Sequence, residues 1–287
     1  MTRTTLAMSL WSAVAIFGCA VSEQGLNGTL EQVKSTSTLN LGYRDAAPPF
    51  SFPGPNREPV GYSIDLCTHV ASAIQNQLGV SLKLNWVPVT AENRVDMVAE
   101  GKVDIECGTT TASLSRQERV DFSLMTFVDG GGLLTKSDLS LRALADLADK
   151  RIAVIAGTTT ETALTNYLKE AFVTVQMVHV KDHLAGRDAV EKGLVEAFAS
   201  DRGILIGLIV TAKQPSVFTI QNILFSYEPY GFMVRRNDAA FRLVVNRALA
   251  ELYRSGSVAQ IYDRWFGGLG KPSPALQAMY LLNGLPE

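Results

Sequence analysis

Two successive runs of alternating strand and helix patterns predict an α/β protein of two lobes, each a mostly parallel sheet flanked by helices. The first run starts at Leu39, and the second follows the glycine run Gly130–Gly132. In both runs, arginine, threonine, histidine or aspartate stands directly after a strand pattern. In open α/β sheets that is where ligands bind.

In order along the chain, Leu39–Tyr43 reads as a strand, followed by a loop rich in proline and glycine. Apolar Ile64, Val70, Ile74 and Leu78 recur at helical spacing. Leu82–Val87 is strand-like, Ala91–Glu100 helical and Val103–Gly108 strand-like again. Three threonines, Thr109–Thr111, lead into a short helix around Arg116 that Ser113 or Ser115 can cap. In the second run, Arg151–Ala156 is a buried-strand pattern, and Gly157–Thr160 opens a helix reaching about Glu170. Strand, helix, strand and helix follow at Val173–Val180, Arg187–Lys192, Glu196–Ser200 and Ile204–Lys213. The chain returns through Tyr227–Gly231 to Phe232–Arg235 and closes with helices at Ala239–Arg254 and Val258–Phe266.

At 287 residues the chain is long enough for two lobes with buried cores. With 47% hydrophobic and 19% charged residues and a net charge of -2, composition excludes disorder and gives no basic footprint for nucleic acid. A bound anion must therefore be met by locally placed cations. Met1–Arg3 and the apolar Leu6–Phe17 form a signal-peptide pattern too short to span a bilayer, with small residues Gly18–Ala20 at a cleavage position. Export to the periplasm is the expectation for residues 1–20, with 21–38 as a linker. Cys19 also fits a lipid-attachment site, against which the bulky Phe17 stands. After cleavage Cys67 and Cys107 remain, an even pair that is either one disulfide or two buried thiols.

The polar groups define a charge pattern. Arg116 beside the threonines suits one carboxylate, gripped bidentately. Arg44 follows the first strand, Arg94 opens the helix after Leu82–Val87, and His183 follows a strand of the second run. Together these over-supply positive charge unless the ligand carries a second anionic group. Thr109, Thr111 and Thr159 lie at strand ends or a helix start, and Asp201 suits an ammonium. The pattern describes an acidic amino acid. Other chemistries are weaker. Glu106 lacks a second carboxylate for acid–base work, Cys107 lacks a base, and His179 with His183 falls on a strand pattern rather than a metal-binding helix. Gly130–Gly132 has neither the P-loop lysine nor a dinucleotide spacing, so no cofactor is expected.

The segments LGYRDAAPPFSF, VGYSIDLC, VTAENRVDMVAEGKVDIECGTTT, SRQERVDFS, LLTK, AGTTTETAL, KDH, YEPYGFMVRRND and GSVAQIYDRWF occur in this order. In that order and spacing the chain resembles the periplasmic solute-binding proteins of ABC importers for polar amino acids, most of all the glutamate/aspartate-binding members. The resemblance implies a type II periplasmic binding protein, its lobes joined by two crossing strands near 130–136 and 223–231. Lobe 1 would comprise 39–129 and 230–287, and lobe 2 residues 133–226. It implies Arg116 as the α-carboxylate arginine, with Thr109, Thr111 and Thr159 as hydroxyl and amide contacts. It implies Asp201 as the α-ammonium acceptor, and Arg44, Arg94 and His183 as holders of the side-chain carboxylate. The implied partners are L-glutamate or L-aspartate and an inner-membrane ABC permease, the protein acting as a monomer and not as an enzyme. A sensor of polar amino acids or dicarboxylates, and a dehydratase or lyase on the same fold, are the alternatives. Ala91, Thr109, Arg202 and the small Ala199–Ser200 depart from the glutamate/aspartate members, which bears on the choice between those two ligands.

Overall fold

The computed structural model describes residues 26–139, 141 and 143–287. The expected signal peptide and Cys19 lie outside the described residues. The first lobe opens with α1 (Gly28–Thr36), β1 (Thr38–Tyr43) and the small strands β2 (Phe52–Pro53) and β3 (Pro59–Val60). It continues with α2 (Tyr62–Leu78), β4 (Lys83–Pro88), α3 (Arg94–Ala99), β5 (Ile105–Glu106), α4 (Leu114–Gln117) and β6 (Val120–Asp129). The second lobe holds β7 (Gly131–Lys136), β8 (Arg151–Val154), α5 (Thr159–Glu170), β9 (Gln176–His179), α6 (His183–Glu191), β10 (Ala197–Asp201), α7 (Arg202–Val210) and β11 (Phe218–Ile220). The chain then returns to the first lobe as β12 (Glu228–Arg235), α8 (Ala239–Arg254), α9 (Val258–Phe266) and α10 (Pro274–Asn283).

The sheets run β4-β1-β5-β12-β6 and β11-β7-β10-β8-β9. Each is mixed rather than mostly parallel. The strands linked through helices pair in parallel, β1 with β4 and β5, and β8 with β9 and β10. The strands entering or leaving the crossings pair antiparallel, β12 with β5 and β6, and β7 with β10 and β11. A crossing strand can lie beside its neighbour without a helical connection, so antiparallel pairing is open to it. Only Gly130 separates β6 from β7, and β12 runs beside that crossing with Glu228 opposite Asp129. The N–H of Gly131 donates to Ser226 Oγ at 2.9 Å, tying the two crossings together.

The expected linker 21–38 is corrected: Gly28–Thr36 is a helix. Its few apolar residues hid it. Leu30 and Val33 are buried against the core, and the Thr29 N–H donates to Asp238 Oδ2 at 2.7 Å. Tertiary packing rather than propensity holds such a short helix. The tail beyond Phe266 is likewise helical, with Leu276 and Met279 of α10 buried.

Under the crossings lies an aromatic cluster of Phe50, Tyr62, Phe127, Tyr230 and Phe266, with Phe50 and Phe127 centroids 4.8 Å apart edge to face. Helix α7 of the second lobe presses on the Pro48–Pro49 loop of the first. A Cβ at Gly207 would stand 2.2 Å from the Pro48 carbonyl oxygen, so only glycine permits this approach.

Cys67 on α2 and Cys107 beyond β5 form a disulfide, with Cα atoms 5.9 Å apart across 40 residues of sequence. It pins the β5 end, where the site begins. On chain-entropy grounds the bridge contributes about 4 kcal/mol. Reduction, or joint Cys67→Ala and Cys107→Ala substitution, is expected to lower the melting temperature by on the order of 10 °C in scanning calorimetry. An unchanged transition would contradict this contribution.

Candidate functional site

The C-terminal ends of β1, β4 and β5 face those of β8, β9 and β10 across the cleft, and the loops leaving them carry the site. Arg44 leaves β1 directly, with its N–H donating to Ser51 Oγ at 2.8 Å. Arg94 is the first residue of α3, whose entry is fixed reciprocally by Thr90 and Asn93: each backbone N–H donates to the other's side chain. Thr109 and Thr111 follow β5. From the opposite lobe, Thr158 caps α5 by accepting from the Glu161 N–H, placing Thr159 and Thr160 in the first turn. Asp182 caps α6 in the same way, which puts His183 at its first position. Asp201 ends β10.

Seven of the eight expected residues line one cavity: Arg44, Arg94, Thr109, Thr111, Thr159, His183 and Asp201. Its free space is about 20 Å³, near what one water needs. An amino acid therefore enters only as the lobes or lining side chains part. Arg116 does not line this cavity. Its side chain stands on a larger cleft of about 800 Å³ at the mouth, where Nη1 donates to the Thr111 carbonyl at 2.9 Å; Ile155 lines both spaces.

One end of the cavity is cationic. Arg44 and Arg94 are each 4% exposed, and among the described residues neither forms an ion pair. The Nε of Arg94 is buried without a hydrogen-bond partner. Burial, reinforced by Arg94, pushes the Arg44 guanidinium down to about 10, still charged at neutral pH. Burial and then the charges of Arg44 and Arg94 hold His183 well below its ordinary value, so its ring is neutral at pH 7. His183 Nδ1 shares a 3.2 Å hydrogen bond with Ser200 Oγ.

Three carboxylates cluster nearby, of which only Asp201 lines the cavity; Asp129 and Glu228 escaped the sequence reading. Asp201 accepts from Thr160 Oγ1 at 2.7 Å and from the Tyr230 hydroxyl. Asp129, on the first crossing, accepts from the N–H groups of Gly130 and Gly203, both at 2.8 Å. Glu228, on the second crossing and 1% exposed, accepts from Thr111 Oγ1 at 2.5 Å, Thr159 Oγ1 at 2.7 Å and Ser226 Oγ at 2.7 Å. Burial and then the charge of Asp201 raise Asp129 above the usual carboxylate range. Burial and then Glu228 raise Asp201 in the same direction. All the hydrogen bonds to these carboxylates come from neutral donors. The cavity wall thus carries two buried cations, Arg44 and Arg94, and one buried carboxylate, Asp201, with Asp129 and Glu228 outside the lining; the charge of Arg94 acts on Asp201, and Arg116 feels both Glu228 and Asp201.

The two histidines considered for metal binding part company. His179 Nε2 pairs with Glu161 at 2.6 Å on the surface, while His183 faces the cavity. Among the described residues no cluster of His, Cys, Asp or Glu is arranged to hold a metal. Glu106 is buried and accepts from Thr110 Oγ1 at 2.8 Å, outside the cavity lining.

A model of bacterial extracellular solute-binding proteins, family 3, matches residues 39–268. An L-glutamate/L-aspartate-binding protein of Pseudomonas aeruginosa is 39% identical over 254 residues, 88% of this chain and 84% of that one. A glutamate/aspartate import solute-binding protein of Escherichia coli K12 is 31% identical, over 91% of this chain and 86% of its own. Among solved structures, an ancestral arginine-binding protein bound to glutamine superposes with a TM-score of 0.71 at 27% identity, covering 80% of this chain and 98% of that one. An ancestral amino-acid-binding protein, precursor of cyclohexadienyl dehydratase, gives 0.72 at 27% identity, covering 83% and 100%.

Proposed function

The chain belongs to the bacterial extracellular solute-binding proteins of family 3, and on that premise we propose that it captures an acidic amino acid, glutamate or aspartate, between its lobes for an ABC permease of the inner membrane. The observation that carries this reading is the pair Arg44 and Arg94, both buried on the cavity wall and neither in a salt bridge among the described residues, with burial and Arg94 weighing more on Arg44 than the nearby charges of Glu106 and Asp45. A ligand side-chain carboxylate supplies that counter-ion, while Asp201 on the opposite wall receives the α-ammonium. Neutral His183 donates a hydrogen bond without adding a third charge. Arg116 at the mouth takes the α-carboxylate once the ligand spans cavity and cleft. The relatives in Pseudomonas aeruginosa and Escherichia coli bear names for the same ligands, which supports the assignment.

Closure of 39–129 with 230–287 against 133–226, about the crossings near 130–136 and 223–231, then shields the ligand. Ligand contacts to both lobes favour the closed form because the open form lacks half of them. The protein acts as a monomer exported to the periplasm on the N-terminal signal pattern. It binds rather than transforms its ligand: Cys107 is held in a disulfide, Glu106 lies outside the cavity, and each charge lining the cavity has a ligand charge to meet.

A thermal-shift series tests the class. At about a thousandfold over its dissociation constant, a ligand stabilises by about 4 kcal/mol, a rise on the order of 10 °C. Glutamate or aspartate is expected to produce that rise. No shift with any amino acid would overturn the reading.

A further inference from the structure

Glu228 stands outside the cavity lining, yet its carboxylate holds two hydroxyls that belong to it. Thr111 comes from the first lobe and Thr159 from the second, and their Oγ1 atoms are 3.2 Å apart. A hydroxyl has a single proton to donate, and Glu228 Oε2 accepts from Thr111 at 2.5 Å and from Thr159 at 2.7 Å, both closer than the two hydroxyls are to each other. Both threonine protons therefore point at Glu228 Oε2, and each Oγ1 turns only lone pairs towards the cavity. Glu228 is itself fixed through Oε1 by Ser226 Oγ, which in turn accepts from Gly131 on the other crossing. Its rotamer is thereby tied to both hinge segments.

Resting on the ligand reading above, we propose that Glu228 is a positioning residue for ligand recognition: by taking the hydroxyl protons of Thr111 and Thr159 it makes both acceptors for a ligand ammonium and joins the two lobes at that point. The same two threonines, freed of Glu228, could donate to a carboxylate or keto oxygen as readily as accept from an ammonium. Charge acts in the same sense. Asp129, Asp201 and Glu228 together form an anionic wall, faced by Arg94 from α3 and Arg116 from α4. The ammonium is thus read by three acceptors, of which only Asp201 is recognisable as one from its own side chain.

The test compares L-glutamate with glutarate, the same dicarboxylate without the ammonium, by titration calorimetry on wild type and on Glu228→Gln. The amide keeps the size of the side chain while removing its charge and one acceptor oxygen. Wild type is expected to prefer glutamate. In E228Q glutamate affinity should fall roughly 10- to 100-fold with glutarate affinity unchanged or raised, so the preference collapses. In a Thr111→Val, Thr159→Val background the Glu228→Gln step should then have little further effect, because the hydroxyls through which it acts are gone. Equal losses for both ligands would assign Glu228 a purely structural role and overturn the proposal, as would an unchanged preference. If E228Q does not fold, the double valine variant decides alone: loss confined to glutamate supports the proposal, and equal loss of both ligands contradicts it. Failure of wild type to bind either ligand would instead sink the acidic-amino-acid reading itself.

Discussion

Arg94→Met is expected to abolish useful binding of acidic amino acids and, in the same protein, to raise the melting temperature of the ligand-free form. Arg94 and Arg44 are buried at one end of the cavity, each without an ion-pair partner among the described residues, and Arg94 lowers the pKa of Arg44. Burial and their mutual repulsion outweigh the nearby charges of Glu106 and Asp45 at Arg44, so the pair opposes folding until a ligand carboxylate arrives. Removing one partner of a buried charge pair costs about 2–5 kcal/mol, so affinity for glutamate should drop by two to three orders of magnitude. Replacing an unpaired buried charge by an apolar side chain of similar length should stabilise the free protein by about 1–3 kcal/mol, several degrees by calorimetry. The opposite signs make the prediction demanding. Retained affinity, or a large fall in the ligand-free melting temperature, would mean that Arg94 serves the fold instead of the ligand.

Asp201→Asn should weaken glutamate by about two orders of magnitude and flatten the pH dependence of binding. In the ligand-free protein, burial and neighbouring carboxylates raise Asp129 and Asp201. The folded state then holds protons that the unfolded chain has already released. The stability this confers is complete below the ordinary carboxylate value near 4, and is lost as pH rises through the raised folded values towards neutrality. A ligand ammonium favours the charged form of Asp201. Glutamate affinity should therefore increase with pH across that window, with proton release on binding at its lower end. Calorimetric titrations at about pH 5.5 and 8 would show the rise in wild type and its absence in D201N. A flat wild-type profile identical to that of the variant would remove Asp201 from ammonium recognition.

The residues that the sequence made legible share one trait: they end or follow a strand, or start a helix. Arg44, Arg94, Thr109, Thr111, Thr159, His183 and Asp201 all have it, because strand ends are where an α/β sheet presents side chains to a cleft. Asp129, Glu228 and Tyr230 lie instead on the strands that cross between lobes. There a local pattern reads only as a connection, and the anionic wall emerges when the two crossings are paired. The stretch Tyr227–Gly231 did carry a signal, a glutamate directly before a proline inside an apolar run, whose meaning needed the register of β12 on β6. The same crossings explain the mixed sheets, since antiparallel pairing of β12 and β7 depends on chain direction at a distance. Arg116 shows a different limit. Sequence position places it near the site, whereas the structure sets its side chain on the larger cleft and not on the cavity wall.

The central claim is that the cleft reads two opposite charges at opposite ends. The most direct measurement is isothermal titration of the mature protein, refolded to strip bound ligand, with glutamate, aspartate, glutamine, asparagine and histidine. One-to-one binding of glutamate or aspartate at least 100-fold tighter than of either amide is the result expected, because an amide leaves Arg44 and Arg94 without a counter-charge. Amides or histidine binding as tightly as the acids would contradict the roles of Arg44, Arg94 and His183.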